Sequence, residues 1–115
     1  MIAQYLDVTA AFNANNGTKI EMSNYDYCVV QFVGASGTIN FTASNDSGAV
    51  QGTTDGNISL STNFQTCAAT KLADGTTVTA GATGLFRFGV VGRYIQFAGA
   101  GAAATKVLVM LAKIG

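Results

Sequence analysis

Histidine, tryptophan and proline are absent from this 115-residue chain, and only 12 residues carry charge, six basic and six acidic. Each absence excludes something. Without histidine there is no imidazole base to activate a serine and no imidazole metal ligand. The acids Asp7, Glu21, Asp26, Asp46, Asp55 and Asp74 are each isolated in sequence, so no carboxylate pair stands out for acid–base chemistry. The bases Lys19, Lys71, Arg87, Arg93, Lys106 and Lys113 form no stripe, which argues against nucleic acid as a direct partner. The composition is that of a protein that is not an enzyme and uses no cofactor.

Charge is also what keeps dissolved proteins apart. An average domain is roughly 25% charged, against 10% here, with mean hydropathy +0.33. Much of the surface must therefore be uncharged, as suits a subunit packed against copies of itself or against a scaffold. No apolar run approaches the roughly 20 residues that cross a bilayer as a helix; the longest is Val107 to Ala112. The opening Met1-Ile2-Ala3-Gln4-Tyr5-Leu6 has no basic region and no long apolar core, so it reads as a start rather than a signal peptide, and the product as one made in a cytoplasm. Cys28 and Cys67 carry no framework spacing and read as reduced, small apolar side chains. Two thiols without imidazole do not make a zinc site.

What is present is alternation. Thr38-Ile39-Asn40-Phe41-Thr42, Leu85-Phe86-Arg87-Phe88 and Arg93-Tyr94-Ile95-Gln96-Phe97 alternate in period 2, the mark of half-buried strands. Residues 25–33 and 106–114 are apolar on both faces, as central or interface strands would be. The pattern predicts strands near 3–9, 18–22, 25–33, 38–44, 58–63, 65–72, 76–80, 85–90, 93–98 and 105–114. Gly34-Ala35-Ser36-Gly37 reads as a tight hairpin, and Asn16-Gly17, Asp55-Gly56 and Asp74-Gly75 as turn dipeptides. Only residues 1–12 are ambiguous, since Ile2, Tyr5 and Leu6 would also share a helical face. The expectation is a single all-β domain over 1–115, an antiparallel sandwich of jelly-roll type, with 1–12 as an N-terminal docking arm.

Several local signals have plainer explanations. Gly99-Ala100-Gly101-Ala102-Ala103-Ala104 fits a dinucleotide fingerprint in letters, but no acid follows and the chain ends 11 residues on, so it reads as a loop. Asp46 and Asp55 match no calcium-loop order and read as turn formers. The sequons at Asn16, Asn40, Asn45 and Asn57 follow from composition. Tyr5, Tyr25, Tyr27 and Tyr94 are the aromatics best placed for exposure, and so for a sugar-stacking platform.

Taken in order, Asn24-Tyr25-Asp26-Tyr27-Cys28-Val29-Val30-Gln31-Phe32, then Gly37 to Asp46, Gly84-Leu85-Phe86-Arg87-Phe88 and Val91-Gly92-Arg93-Tyr94-Ile95-Gln96-Phe97 resemble small β-sandwich proteins of tailed bacteriophages. These occur as capsid decoration (cement) proteins and as modules of tail and baseplate fibres. The likeness covers about residues 18–114 and departs in lacking a tryptophan after the aspartate loop. It implies a virion structural protein, located on the capsid surface and partnered by the major capsid protein, that stabilises the head by bridging capsid subunits. The alternative it implies is a tail or baseplate adhesin for host polysaccharide. A homotrimer is expected from the sparse charge and the small-residue run 98–104, with Met1, Ile2, Tyr5, Leu6, Arg87, Arg93, Gly101 and Ala102 as candidate interface residues.

Overall fold

The alternating segments fold as predicted, into strands whose apolar positions face one shared core. The structure is a computed structural model, described over residues 2–45, 64–89 and 92–114. Its strands in chain order are β1 (Ile2–Asp7), β2 (Gly17–Glu21), β3 (Tyr27–Val33), β4 (Ile39–Ser44), β5 (Gln65–Thr66), β6 (Ala69–Lys71), β7 (Thr77–Val78), β8 (Ala80–Gly81), β9 (Gly84–Phe88), β10 (Tyr94–Ala98) and β11 (Lys106–Lys113). One helix, α1 (Thr9–Asn15), joins β1 to β2. The strand expected at 58–63, the Asp46 and Asp55 loops and Met1 lie outside the described residues.

Two antiparallel sheets result. One has six strands in the order β1-β11-β3-β9-β6-β7; the other has β2-β10-β4-β5, with β8 also pairing β4. The doubly apolar segments become β3 and β11, neighbours inside the six-stranded sheet. Facing sides of the sheets bury Val30, Phe32, Phe86, Val107 and Val109 against Ile20, Ile39, Phe41, Ile95 and Phe97. This is an all-β sandwich.

Phenylalanine fills its middle. The Phe32 ring lies 5.8 Å from Phe12, 5.9 Å from Phe86 and 5.7 Å from Phe97. Phe41 extends the chain of rings to Phe86 at 5.3 Å and Phe88 at 4.9 Å. Such tilted and edge-on contacts add to the burial of each ring.

Four local readings are corrected. Gly34 to Gly37 is no hairpin: β3 and β4 belong to different sheets, so this segment carries the chain across the sandwich. Ser36 bridges to Ala103 instead, its N–H donating to the Ala103 carbonyl at 2.8 Å. Second, residues 9–15 are helical, which the period did not announce because Phe12 alone of them is buried. Asn16-Gly17 is then a helix stop, with Asn16 in the left-handed region at φ 56°. Third, residues 2–7 are hydrogen-bonded into the sheet as an edge strand, in unbroken register from Ile2↔Lys113 to Asp7↔Leu108, and do not extend as a free arm. Fourth, the segment 65–72 splits, with β5 in one sheet and β6 in the other.

The small-residue run 98–104 serves the chain's own packing. A Cβ on Gly99 would sit 1.8 Å from the Thr38 carbonyl oxygen, so only glycine fits there. Asn13 clamps the far end of the run, donating to the Ala104 carbonyl at 2.8 Å and accepting from its N–H at 2.9 Å.

Candidate interface surface

Because β11 and β3 alternate inward and outward, their second apolar set must emerge on the far side of the six-stranded sheet. Register assembles it into rows. Tyr5, Met110, Val29, Arg87 and Thr70 stand side by side across β1, β11, β3, β9 and β6. The next row is Asp7, Leu108, Gln31 and Leu85. Between the rows lies a shallow groove of about 490 Å³, lined mainly by Tyr5, Val29, Leu85, Leu108 and Met110. Tyr5 is 75% exposed and Leu85 41%. A contiguous apolar patch on an otherwise ordinary surface marks a binding face more often than chance.

Polar groups rim it. Asp7 pairs with Lys106 at 3.5 Å and accepts from Thr9 Oγ1 at 2.6 Å and Thr9 N at 3.0 Å. The two Thr9 hydrogen bonds, helped by the Lys106 charge, hold the Asp7 carboxyl below the usual carboxylate range. Arg87 sits over the Tyr27 ring, its guanidinium carbon 4.6 Å from the centroid, a cation–π contact that keeps its long side chain close to the sheet. An apolar centre within a polar rim is the anatomy of a protein–protein interface.

Of the residues the sequence proposed, Tyr5 and Arg87 meet on this face. Leu6 points the other way, against the core. Ile2 is 65% exposed at the end of the same edge strand. Arg93 lies on the other sheet, 3.6 Å from Glu21, with its Nε donating to Ser23 Oγ at 3.2 Å and its guanidinium over Tyr94. Gly101 forms an exposed turn at φ 69°. Ala102 is corrected: it is fully buried in the chain's own core, so its methyl cannot touch a partner. The tyrosines do not make a platform either. Tyr94 is buried against Phe64, Tyr27 lies under Arg87, and the Tyr25 hydroxyl is bonded to Gln4 Oε1.

Among the described residues no three of His, Cys, Asp and Glu gather as metal ligands. Cys28 and Cys67 are unpaired thiols, and burial, chiefly, pushes them up to about 12 and about 11. Among the described residues no helix is long and apolar enough to cross a membrane.

The fold and this face together define a class: a two-sheet sandwich that, among the described residues, presents a partly exposed apolar sheet surface. No protein-family model matches the chain, and no curated protein matches it. Its fold is similar to the crystal structure of SPBc2 prophage-derived protein YomS. The two superimpose with a TM-score of 0.62 at 12% identity, over 96% of this chain and 94% of that one.

Proposed function

We propose that this chain is a structural protein of a bacteriophage virion, most specifically a capsid decoration protein. In this reading it is made in the host cytoplasm and docks on the major capsid protein at the head surface, where it bridges neighbouring capsid subunits. The observation that carries the reading is the apolar outer face of the six-stranded sheet, rimmed by Asp7–Lys106 and Arg87. A sandwich fold shared over nearly full length with a prophage-derived protein supports the phage setting. Packaged DNA strains the joints of a shell, and a subunit seated across each joint adds buried apolar area there. Many modest contacts on one rigid lattice act multivalently.

Two measurements test this. Densitometry of purified particles should find hundreds of copies per virion; a few dozen or fewer would place the protein in the tail, as an adhesin would be. Particles lacking the protein should release DNA at a lower temperature, and those re-decorated with Leu108→Lys/Met110→Lys protein should stay heat-sensitive. Equal heat resistance with and without the protein would end the cement reading.

A further inference from the structure

Edge strands are templates for pairing, and proteins shield them with covers, bulges, proline or lysine. The two long edge strands of this sandwich are treated differently. On the five-stranded sheet, β2 is buried along Gly17, Thr18, Lys19 and Ile20, with α1 packed beside it. On the six-stranded sheet, β1 is mostly exposed. It has no proline, no lysine and no bulge, since each residue from Ile2 to Asp7 opposes one residue of β11.

The free hydrogen-bonding groups of β1 can be assigned. The Val8 N–H donates to the Val107 carbonyl at 3.0 Å, and Val8 and Val107 continue the register of β1 with β11. Antiparallel ladders bond every second residue to one neighbour. Positions 2, 4 and 6 therefore bond to β11, and the N–H and C=O groups of Ala3, Tyr5 and Asp7 point outward from the sheet edge.

We propose that β1 pairs antiparallel with β1 of a second copy, about a two-fold axis at Gln4. This register sets Ala3 opposite Tyr5 of the second copy and Tyr5 opposite its Ala3, joined through the outward backbone groups. Ile2 then opposes Leu6, apolar against apolar, on the inner side. On the outer side each Tyr5 ring meets Ala3 and, one strand further, Ala112, because Ala3 pairs with Ala112 within each chain. A large exposed ring finds a seat of two methyl groups. Sliding the register by two residues in one direction opposes Gln4 to Leu6 and Ala3 to Asp7; sliding in the other shortens the ladder and opposes Ile2 to Gln4. Of the three registers only the one centred on Gln4 opposes Ile2 to Leu6 and Ala3 to Tyr5, with the one polar side chain among them, Gln4, opposite its own counterpart. The contact is isologous, so it closes at two copies. The six-stranded sheets join into one of twelve, and the two apolar outer faces become one continuous surface. This inference does not depend on the phage reading.

Sedimentation equilibrium of the full chain at high micromolar concentration should give twice the 11.7 kDa chain mass. Ala3→Pro removes one outward N–H while leaving the ladder to β11 intact, so it should give a folded monomer, with circular dichroism unchanged. Gln4→Cys places two thiols across the axis in a non-hydrogen-bonded pair, and mild oxidation should cross-link it to a dimer. Asp7→Cys, far from its counterpart in this register, should not cross-link above the wild-type background. A wild-type monomer, a trimer, a dimer that survives Ala3→Pro, or Asp7→Cys cross-linking as well as Gln4→Cys would each overturn the proposal. Should Ala3→Pro fail to fold, the cysteine pair decides alone.

Discussion

Phe32 is the residue through which the two sheets and the helix are held together, and Phe32→Ala should show it. The side chain is 1% exposed near the C-terminal end of β3, and its ring touches Phe12 of α1, Phe86 of β9 and Phe97 of β10. Truncation removes three aromatic contacts and leaves a cavity bounded by strands that cannot collapse without breaking their ladders. Buried Phe→Ala changes cost about 3–5 kcal/mol, and a site with three ring partners belongs at the upper end. Whole domains hold about 5–15 kcal/mol, so a third or more of the stability should vanish. At roughly 4 °C per kcal/mol for a chain of this size, the melting temperature should drop by about 12–20 °C. Urea unfolding followed by tyrosine fluorescence gives the loss directly, and the slope should stay constant if the change is in the native state. Met110→Ser, on the neighbouring strand but the outer face, is the internal control and should cost under about 1.5 kcal/mol. If the two variants lost equal stability, the assignment of inner and outer faces would be wrong.

Ala102→Trp should be strongly destabilising, at least about 1–3 kcal/mol from overpacking, because its methyl is fully buried; thermal melting of the variant checks this, and a normal melt would put the loop at the surface. In native protein at pH 8, Cys28 should resist an aromatic disulfide reagent and Cys67 should react slowly, both becoming reactive in denaturant, since burial favours their neutral forms. Those raised thiols leave stability intact below their unfolded value, and stability then falls progressively as pH rises above it, the loss being complete by about 11 for Cys67 and about 12 for Cys28. Asp7 and Asp74 are lowered first by hydrogen bonds from Thr9 and Thr76, so their contribution is present above the ordinary carboxylate range. It should be lost as pH falls below about 4, and Asp7→Asn should flatten that acid limb in a stability–pH titration.

The strands were legible because a sheet with one wet face imposes period 2 on its sequence, and β4 and β9 obey it; β10 alternates in residue type, yet Tyr94 and Gln96 are buried along with Ile95 and Phe97. What escaped was connectivity between layers. Gly34 to Gly37 has the letters of a hairpin turn, and nothing local distinguishes a chain that turns back from one that crosses to the opposite sheet. The difference lies in Ala103, whose backbone pairs with Ser36 from 67 positions away. The helix was hidden for a related reason. Thr9–Asn15 is two turns long and buries only Phe12, so its amphipathic signal is one residue deep. Its stability comes from tertiary pins, notably Thr9 Oγ1 accepting from Val107 N–H at 2.8 Å and the double bond of Asn13 to Ala104.

The candidate interface was half legible, and the half that was missed follows from how small residues are read. Double-sided hydrophobicity in 106–114 announced a strand needing cover on both faces, and the sandwich covers only one of them. Among the described residues its second face carries Leu108 and Met110, half-buried beside the exposed Tyr5. Glycine and alanine, by contrast, record only that two backbones approach closely, and not whose they are. Run 98–104 suggested contact between chains, whereas Gly99 lies against Thr38 and Ala102 against the core of the same chain. Of the two residues of that loop expected at a threefold axis, Ala102 is taken up by internal packing while Gly101 stays exposed. Among the described residues, what remains for partners is on the six-stranded sheet: a partly exposed apolar face and an edge strand that share Tyr5. Tyr5→Ala should then reduce both shell binding and self-association while leaving melting nearly unchanged. If only one of the two fell, the edge and the face would be serving separate partners.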